Sequence, residues 1–98
     1  MPANPNSPAE RVAATAVTTA ILSDRMEPYS SERIGPLGNF GTEYVIRLEQ
    51  VKVARVLVGP YSVHVESVNG WEATFNAAGN VPPAAIADVI IAAATSSR

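Results

Sequence analysis

Between Thr42 and Gly59 the chain reads TEYVIRLEQVKVARVLVG, a run of β-branched and other apolar residues that favours strands. The alternation of apolar residues changes phase inside this run. Ile46 and Leu48 occupy even positions, whereas Val51 and Val53 occupy odd ones. Because successive side chains of a strand point to opposite faces, a change of phase requires a turn or a bulge. A turn would place Leu48 opposite Val51 and Ile46 opposite Val53.

A tight turn at Glu49-Gln50 is the first of two interpretations of this run. It makes neighbours of Arg47 and Lys52 on the second face of a hairpin. Glu and Gln, however, are poor residues for the turns that close two-residue hairpins. A single bulged strand over residues 42–58 therefore stays open as the alternative.

A second hairpin is predicted at Asn69-Gly70, since this dipeptide supplies the positive φ angles of a type I′ turn. The turn sets three opposed pairs, namely Val68 with Trp71, Glu66 with Ala73, and His64 with Phe75. In this register Glu66 and Glu72 point to opposite faces. We therefore interpret both carboxylates as ordinary surface charge.

Two helices flank the strands. Ser7, Pro8 and Glu10 form a capping box with proline at the first helical position, which predicts a helix over about residues 8–25. Pro82-Pro83 opens a second helix over about residues 83–95. Residues 26–42 contain several glycines and prolines, and we expect a loop there with a short edge strand near Arg33 and Ile34.

This order predicts an α+β fold in which both helices cover one face of an antiparallel sheet of four to five strands. The chain has 98 residues, enough for one domain. We expect residues 1–7 to form an extended N-terminal arm and residues 8–98 to form a single domain.

Composition excludes some classes of protein and disfavours others. The chain has no cysteine, which rules out disulfides and thiolate metal sites, and its net charge of −2 disfavours a strongly basic nucleic-acid binder. No apolar run approaches the length of a membrane span, and the N-terminus lacks the pattern of a signal peptide. We expect a cytoplasmic protein without membrane association.

The predicted second helix is apolar around almost its whole circumference, with Asp88 as its only charged residue. Such a helix needs cover on more than one side. We expect one sheet and one other helix to cover only a single face. We therefore predict that Ala87, Ile91 and Ala94 form the interface of a homodimer.

Three further apolar residues are candidates for contact with a different protein. Leu37 and Phe40 lie in the glycine-rich segment, and loops often carry function. Trp71 either covers one end of the sheet in the core or anchors an interface. We interpret the protein as a non-enzymatic interaction or assembly module.

An alternative function is nucleic-acid binding by a basic β-ribbon. Its residues would be Arg33, Arg47, Lys52 and Arg55. A two-stranded ribbon fits the major groove of DNA, but neighbouring glutamates dilute the positive charge that phosphate binding requires.

No pattern in the sequence indicates catalysis, a bound metal or a cofactor. His64 is the only histidine and has no nucleophile beside it in the predicted register. The segment from Gly35 to Gly41 lacks the Lys and Ser/Thr of a phosphate-binding P-loop. We expect no enzyme, no metal and no cofactor.

The C-terminal part of the chain carries a resemblance. Gly70-Trp71-Glu72-Ala73-Thr74-Phe75, then Val81-Pro82-Pro83 and Ile86, resembles the end of small domains of unknown function from actinobacteria and their phages. The resemblance covers about a quarter of the chain and implies no activity. It implies a bacterial or phage source, and a phage factor that binds a host protein or forms part of a virion fits the composition.

Overall fold

The structure is a computed structural model that describes residues 8–37, 41–76 and 81–96. In chain order its elements are α1 (Pro8–Ile21), β1 (Tyr29–Leu37), β2 (Gly41–Leu48), β3 (Val51–Val58), β4 (Ser62–Ser67), β5 (Glu72–Asn76) and α2 (Pro83–Thr95). The strands form one antiparallel sheet in the order β1-β2-β3-β4-β5. Both helices pack on one face of this sheet, which confirms the predicted α+β class.

Helix α1 ends at Ile21, four residues before the predicted end. A short 3₁₀ turn over Asp24–Met26 follows it, and the Ser23 hydroxyl accepts a hydrogen bond from the Arg25 backbone N–H at 3.3 Å. Ser7 of the expected capping box lies outside the described residues. The carboxylate of Glu10 instead accepts a hydrogen bond from the buried Thr42 hydroxyl at 2.6 Å, which ties α1 to β2.

Strand β1 corrects the expected loop. It runs for nine residues and pairs with β2 from Tyr29 opposite Leu48 to Ile34 opposite Glu43. The register then shifts, and Gly35 has a φ of 121°. An edge strand tolerates glycine and proline at such an irregularity, because one side of its backbone has no strand to pair with.

The turn at Glu49-Gln50 is confirmed, so β2 and β3 form a hairpin rather than one bulged strand. Leu48 pairs with Val51, and both turn residues have positive φ, 52° and 75°. The predicted pairing of Ile46 with Val53 is wrong. Ile46 pairs with Ala54, because the register shifts by one residue between Ile46 and Arg47.

The β4–β5 hairpin is present, but the predicted register is wrong by one residue. The Ser67 backbone N–H donates to the Trp71 carbonyl at 2.8 Å, which leaves three residues in the loop instead of two. Gly70 ends this loop with a φ of 97°, as in hairpins that combine a type I turn with a left-handed residue. The change brings other residues face to face: Val63 with Phe75, His64 with Thr74, Val65 with Ala73, and Glu66 with Glu72.

The core lies between the helices and the inner face of the sheet. Helix α2 spans the predicted residues, and its Ile86 and Ile90 are fully buried. Small residues dominate the buried side of α1, at Ala9, Ala13, Ala16 and Ala20. Alanine side chains let neighbouring elements approach closely, so α1 packs against α2 as well as against the sheet. Within the described ranges, neither helix has the length and hydropathy that a membrane crossing requires.

Candidate functional site

The face of α2 that was predicted to form a dimer interface is buried within one copy of the chain. Ile91 is 4% exposed, Ala87 2% and Ala94 0%. Helix α1 packs against the part of α2 that the sheet does not cover. The prediction from the sequence had assumed that only one face of α2 would be covered. These three residues belong to the core, so they give no reason for two copies to associate.

The remaining interface candidates have different positions. Trp71 lies outside the core, on the turn between β4 and β5. Phe40 and the side chain of Leu37 lie outside the described part of the chain. Of the residues predicted for an interface, Trp71 is therefore the one that the structure places on the surface.

Among the described residues, three of the large exposed apolar side chains lie at one end of the sheet; the others are Leu22 after α1 and Tyr61 between β3 and β4. Val51 begins β3, Val68 lies in the loop between β4 and β5, and Trp71 directly follows that loop. These side chains are 63%, 57% and 42% exposed, in that order. The two turns share an end because β2 and β4 run in the same direction. The Val68 backbone N–H also donates to the Val53 carbonyl at 3.1 Å, which ties the second turn to β3. We call Val51, Val68 and Trp71 the turn end.

The face of the sheet opposite the helices carries charged residues from all five strands. We call it the helix-free face, and cross-strand ion pairs connect its members. Arg47 Nη2 lies 3.2 Å from Glu32 Oε1, and Lys52 Nζ lies 3.7 Å from Glu43 Oε2. Arg55 Nε contacts Glu66 Oε1.

These ion pairs bear on the alternative of nucleic-acid binding. Arg47, Lys52 and Arg55 share the helix-free face, but each lies beside a glutamate that offsets its charge. Arg33 lies opposite Tyr44 of the core and donates to the Thr42 hydroxyl at 3.5 Å, so it belongs to the other face. The four residues therefore do not form one basic ribbon, and no contact in the described structure favours this function.

His64, Glu66 and Glu72 come together on the helix-free face. One nitrogen of the imidazole and one oxygen of each carboxylate all lie within 4.8 Å of one another. His64 Nδ1 lies 2.6 Å from the Thr74 hydroxyl, and His64 Nε2 lies 3.7 Å from Glu72 Oε2. This cluster was not predicted from the sequence, because the predicted register placed Phe75, not Thr74, opposite His64.

The contacts of His64 allow two chemical roles. If Nδ1 donates its proton to Thr74, then Nε2 presents a lone pair to Glu72, which suits a bound cation. The other tautomer would align a hydroxyl, an imidazole and a carboxylate in the order used for nucleophilic catalysis. Catalysis also needs donors for the developing oxyanion, and no described contact places such donors at Thr74. The geometry therefore favours cation binding over nucleophilic catalysis.

A shallow pocket lies where the helix-free face meets the turn end. Its volume is about 200 Å³, and it is lined by Lys52, Ala54, Arg55, Glu66, Ser67 and Val68. Sites for small organic ligands usually enclose about 300–1,000 Å³ and are largely apolar. This pocket is smaller and open, so we assign no small-molecule substrate to it.

No protein-family model, no curated protein and no solved structure matches this chain. The resemblance to actinobacterial and phage domains therefore stays a prediction from the sequence. Any function must accordingly be inferred from the physical chemistry of the described surface.

Proposed function

We propose that this protein is a small protein–protein interaction module that binds through the turn end, and that its partner is a second copy of the chain. The observation that carries the proposal is the exposure of Val51, Val68 and Trp71 in or directly beside two neighbouring turns. The interface predicted on α2 is replaced by this surface.

Large exposed apolar side chains are unusual in and beside turns, where glycine and polar residues predominate. An isolated exposed side chain is ordinary, but three large ones at the same end of a sheet expose more apolar surface than turns usually do. Tryptophan contributes strongly to many interfaces because its ring buries a large area with few rotatable bonds. Trp71 is partly covered within one copy, so its ring is partly immobilised before binding.

The charges beside the turn end suit contact between two copies. A twofold dimer brings the same surface of both copies together, so that surface must complement itself. Glu49 is exposed in the β2–β3 turn, and the Lys52 side chain is also well exposed close by. Because these two charges are of opposite sign, two copies can meet at this surface without net electrostatic repulsion.

The expected affinity is modest. Full burial of one large apolar side chain contributes about 1.5–3 kcal/mol, and each copy offers three that are already partly covered. Association itself costs about 4–15 kcal/mol. At the low end of that cost the difference is at most about 6 kcal/mol, which corresponds to a dimer that forms at roughly 0.1 mM or above.

Sedimentation equilibrium of the purified chain, from low micromolar concentration to about 1 mM, tests the proposal. We expect a reversible monomer–dimer equilibrium. Val68→Asp places a charge in the turn end without altering the core, and it should shift the equilibrium to the monomer. Tyr61→Asp is the matched control, because Tyr61 is 73% exposed at the opposite end of the sheet.

Two results would contradict the proposal. A wild-type chain that stays monomeric at about 1 mM would exclude self-association in this affinity range. Equal weakening by Val68→Asp and Tyr61→Asp would show that association does not involve the turn end.

A further inference from the structure

The carboxylates of Glu66 and Glu72 form an uncommon pair. They occupy directly opposed positions on β4 and β5, and both lie on the helix-free face. Like charges in this position destabilise a sheet. Arg55 compensates Glu66, but Glu72 faces the imidazole of His64, which supplies a positive charge only when protonated. The arrangement therefore favours an added positive charge beside Glu72.

The geometry of His64 suits a metal ion as that charge. Its Nδ1 lies 2.6 Å from the Thr74 hydroxyl, a contact that can fix the orientation of the ring. Its Nε2 lies 3.7 Å from Glu72 Oε2, which is longer than a hydrogen bond. Two ligands about 2.1 Å from a tetrahedral zinc ion lie about 3.4 Å apart, close to this separation.

We propose that His64, Glu66 and Glu72 form a binding site for one divalent transition-metal ion, for which Zn²⁺ is the probe. The three ligand atoms lie within 4.8 Å of one another, so side-chain rotations can bring them to coordination distance. An imidazole nitrogen favours zinc and its neighbours over Mg²⁺ and Ca²⁺, which prefer oxygen ligands. Three protein ligands leave a fourth position for water or an external donor.

Arg55 does not prevent this site from forming. Its Nε contacts Glu66 Oε1, and an ionised carboxylate has two oxygens with about four lone-pair positions. Glu66 can therefore retain its ion pair with Arg55 and coordinate a metal ion at the same time. In this role Arg55 holds the carboxylate in place, as hydrogen-bonded neighbours of metal ligands commonly do.

The test uses the full chain, prepared without a polyhistidine tag and stripped of metal with EDTA. Titration with Zn²⁺ by calorimetry should give one ion per chain. Because the chain has a single histidine, its imidazole NMR signals report on His64 alone, and they should shift as zinc is added. Mg²⁺ at the same concentration should leave these signals unchanged.

Four variants assign the site. His64→Asn and Glu72→Gln each remove a ligand and should weaken Zn²⁺ binding about tenfold or more, and Thr74→Val, which removes the partner of Nδ1, should weaken it about tenfold. Glu32→Gln is the matched control, because Glu32 is an exposed carboxylate on the same face but outside the cluster. It should retain the wild-type affinity. Circular dichroism confirms that each variant is folded.

Three results would overturn the proposal. Histidine signals that do not respond to excess Zn²⁺ would show that His64 binds no metal. Unchanged affinity in His64→Asn would place any bound zinc elsewhere, and unchanged affinity in Glu72→Gln would remove the cross-strand carboxylate from the site. The turn-end variant Val68→Asp should bind zinc like the wild type, which separates this test from that of dimerisation.

Discussion

Glu66 and Glu72 face each other across β4 and β5, and the length of the loop between these two strands sets this pairing. A loop shorter by one residue would have placed Ala73 opposite Glu66. The extra residue thus places two carboxylates and one imidazole on the same face. Repulsion between the two carboxylates should also lower the free energy of unfolding by an amount that can be measured.

Glu72→Gln should stabilise the metal-free protein. The substitution removes one of two opposed negative charges, and such pairs contribute about 0.2–1 kcal/mol. We expect the free energy of unfolding to rise by about 0.5 kcal/mol in urea titrations at low salt with EDTA present. The gain should shrink as salt is added, because exposed charges are screened.

Glu32→Gln serves as the control for this effect. It removes the same charge from the same face, but Glu32 lies 3.2 Å from Arg47 and faces no carboxylate directly across the sheet. We expect no gain in stability. An equal gain in both variants would mean that the net charge of the chain, rather than the pairing of Glu66 with Glu72, limits stability.

The sequence carries enough information for the elements whose signals are local. Pro83 and the apolar run after it predicted the bounds of α2, and the phase change between Leu48 and Val51 predicted the first hairpin. The length of the loop in the second hairpin cannot be read from the local sequence in the same way. Asn69-Gly70 suits a two-residue loop and also a longer loop that ends in glycine, so the register and the cluster around His64 could not be fixed.

Two other differences between the predicted and the observed structure arise from packing between elements that are distant in the sequence. Strand β1 contains Gly35 and Pro36, which argue against a strand until its place at the edge of the sheet is known. The burial of Ile91 depends on how closely α1 approaches α2, and the periodicity of either helix alone does not reveal this distance. The predicted dimer interface failed for that reason.

Glu49→Asn combined with Gln50→Gly should stabilise the β2–β3 hairpin. Both native residues have positive φ, which asparagine and glycine adopt at lower cost. We expect a gain of about 1 kcal/mol in the free energy of unfolding. Thermal and urea denaturation of monomeric protein at low concentration measures it.

The converse change at the other hairpin is the control. Gly70 has a φ of 97°, and an added Cβ atom there would meet only open space, so Gly70→Ala strains the backbone without a clash. It should cost about 1 kcal/mol. If the double variant brings no gain while Gly70→Ala brings the expected loss, native contacts of Glu49 or Gln50 must offset their backbone strain.

Thr42→Val should destabilise the contact between α1 and β2. The buried Thr42 hydroxyl donates to Glu10 Oε1 at 2.6 Å, and valine keeps the shape while removing the donor. Loss of one partner of a buried hydrogen bond costs about 1–3 kcal/mol. Thr15→Val is the control, because Thr15 is exposed on α1. Equal unfolding free energies for the two variants would contradict a structural role for this hydrogen bond.

Substitutions on neighbouring positions of α2 distinguish a core helix from an interface helix. Ile91 is 4% exposed, whereas Ala92 is exposed to solvent. Ile91→Glu would bury a carboxylate and should cost more than about 4 kcal/mol, enough to unfold a small domain. Ile91→Val should remain folded and lose about 1 kcal/mol, because it removes one buried methyl group.

Ala92→Glu completes the comparison and should change the free energy of unfolding by no more than about 0.5 kcal/mol. Circular dichroism and urea titration measure all three variants at a concentration where the chain is monomeric. A folded, monomeric Ile91→Glu chain with wild-type stability would contradict the burial of this face. The same chain would restore the case for an interface on α2, because an interface residue can accept a charge without loss of the monomer fold.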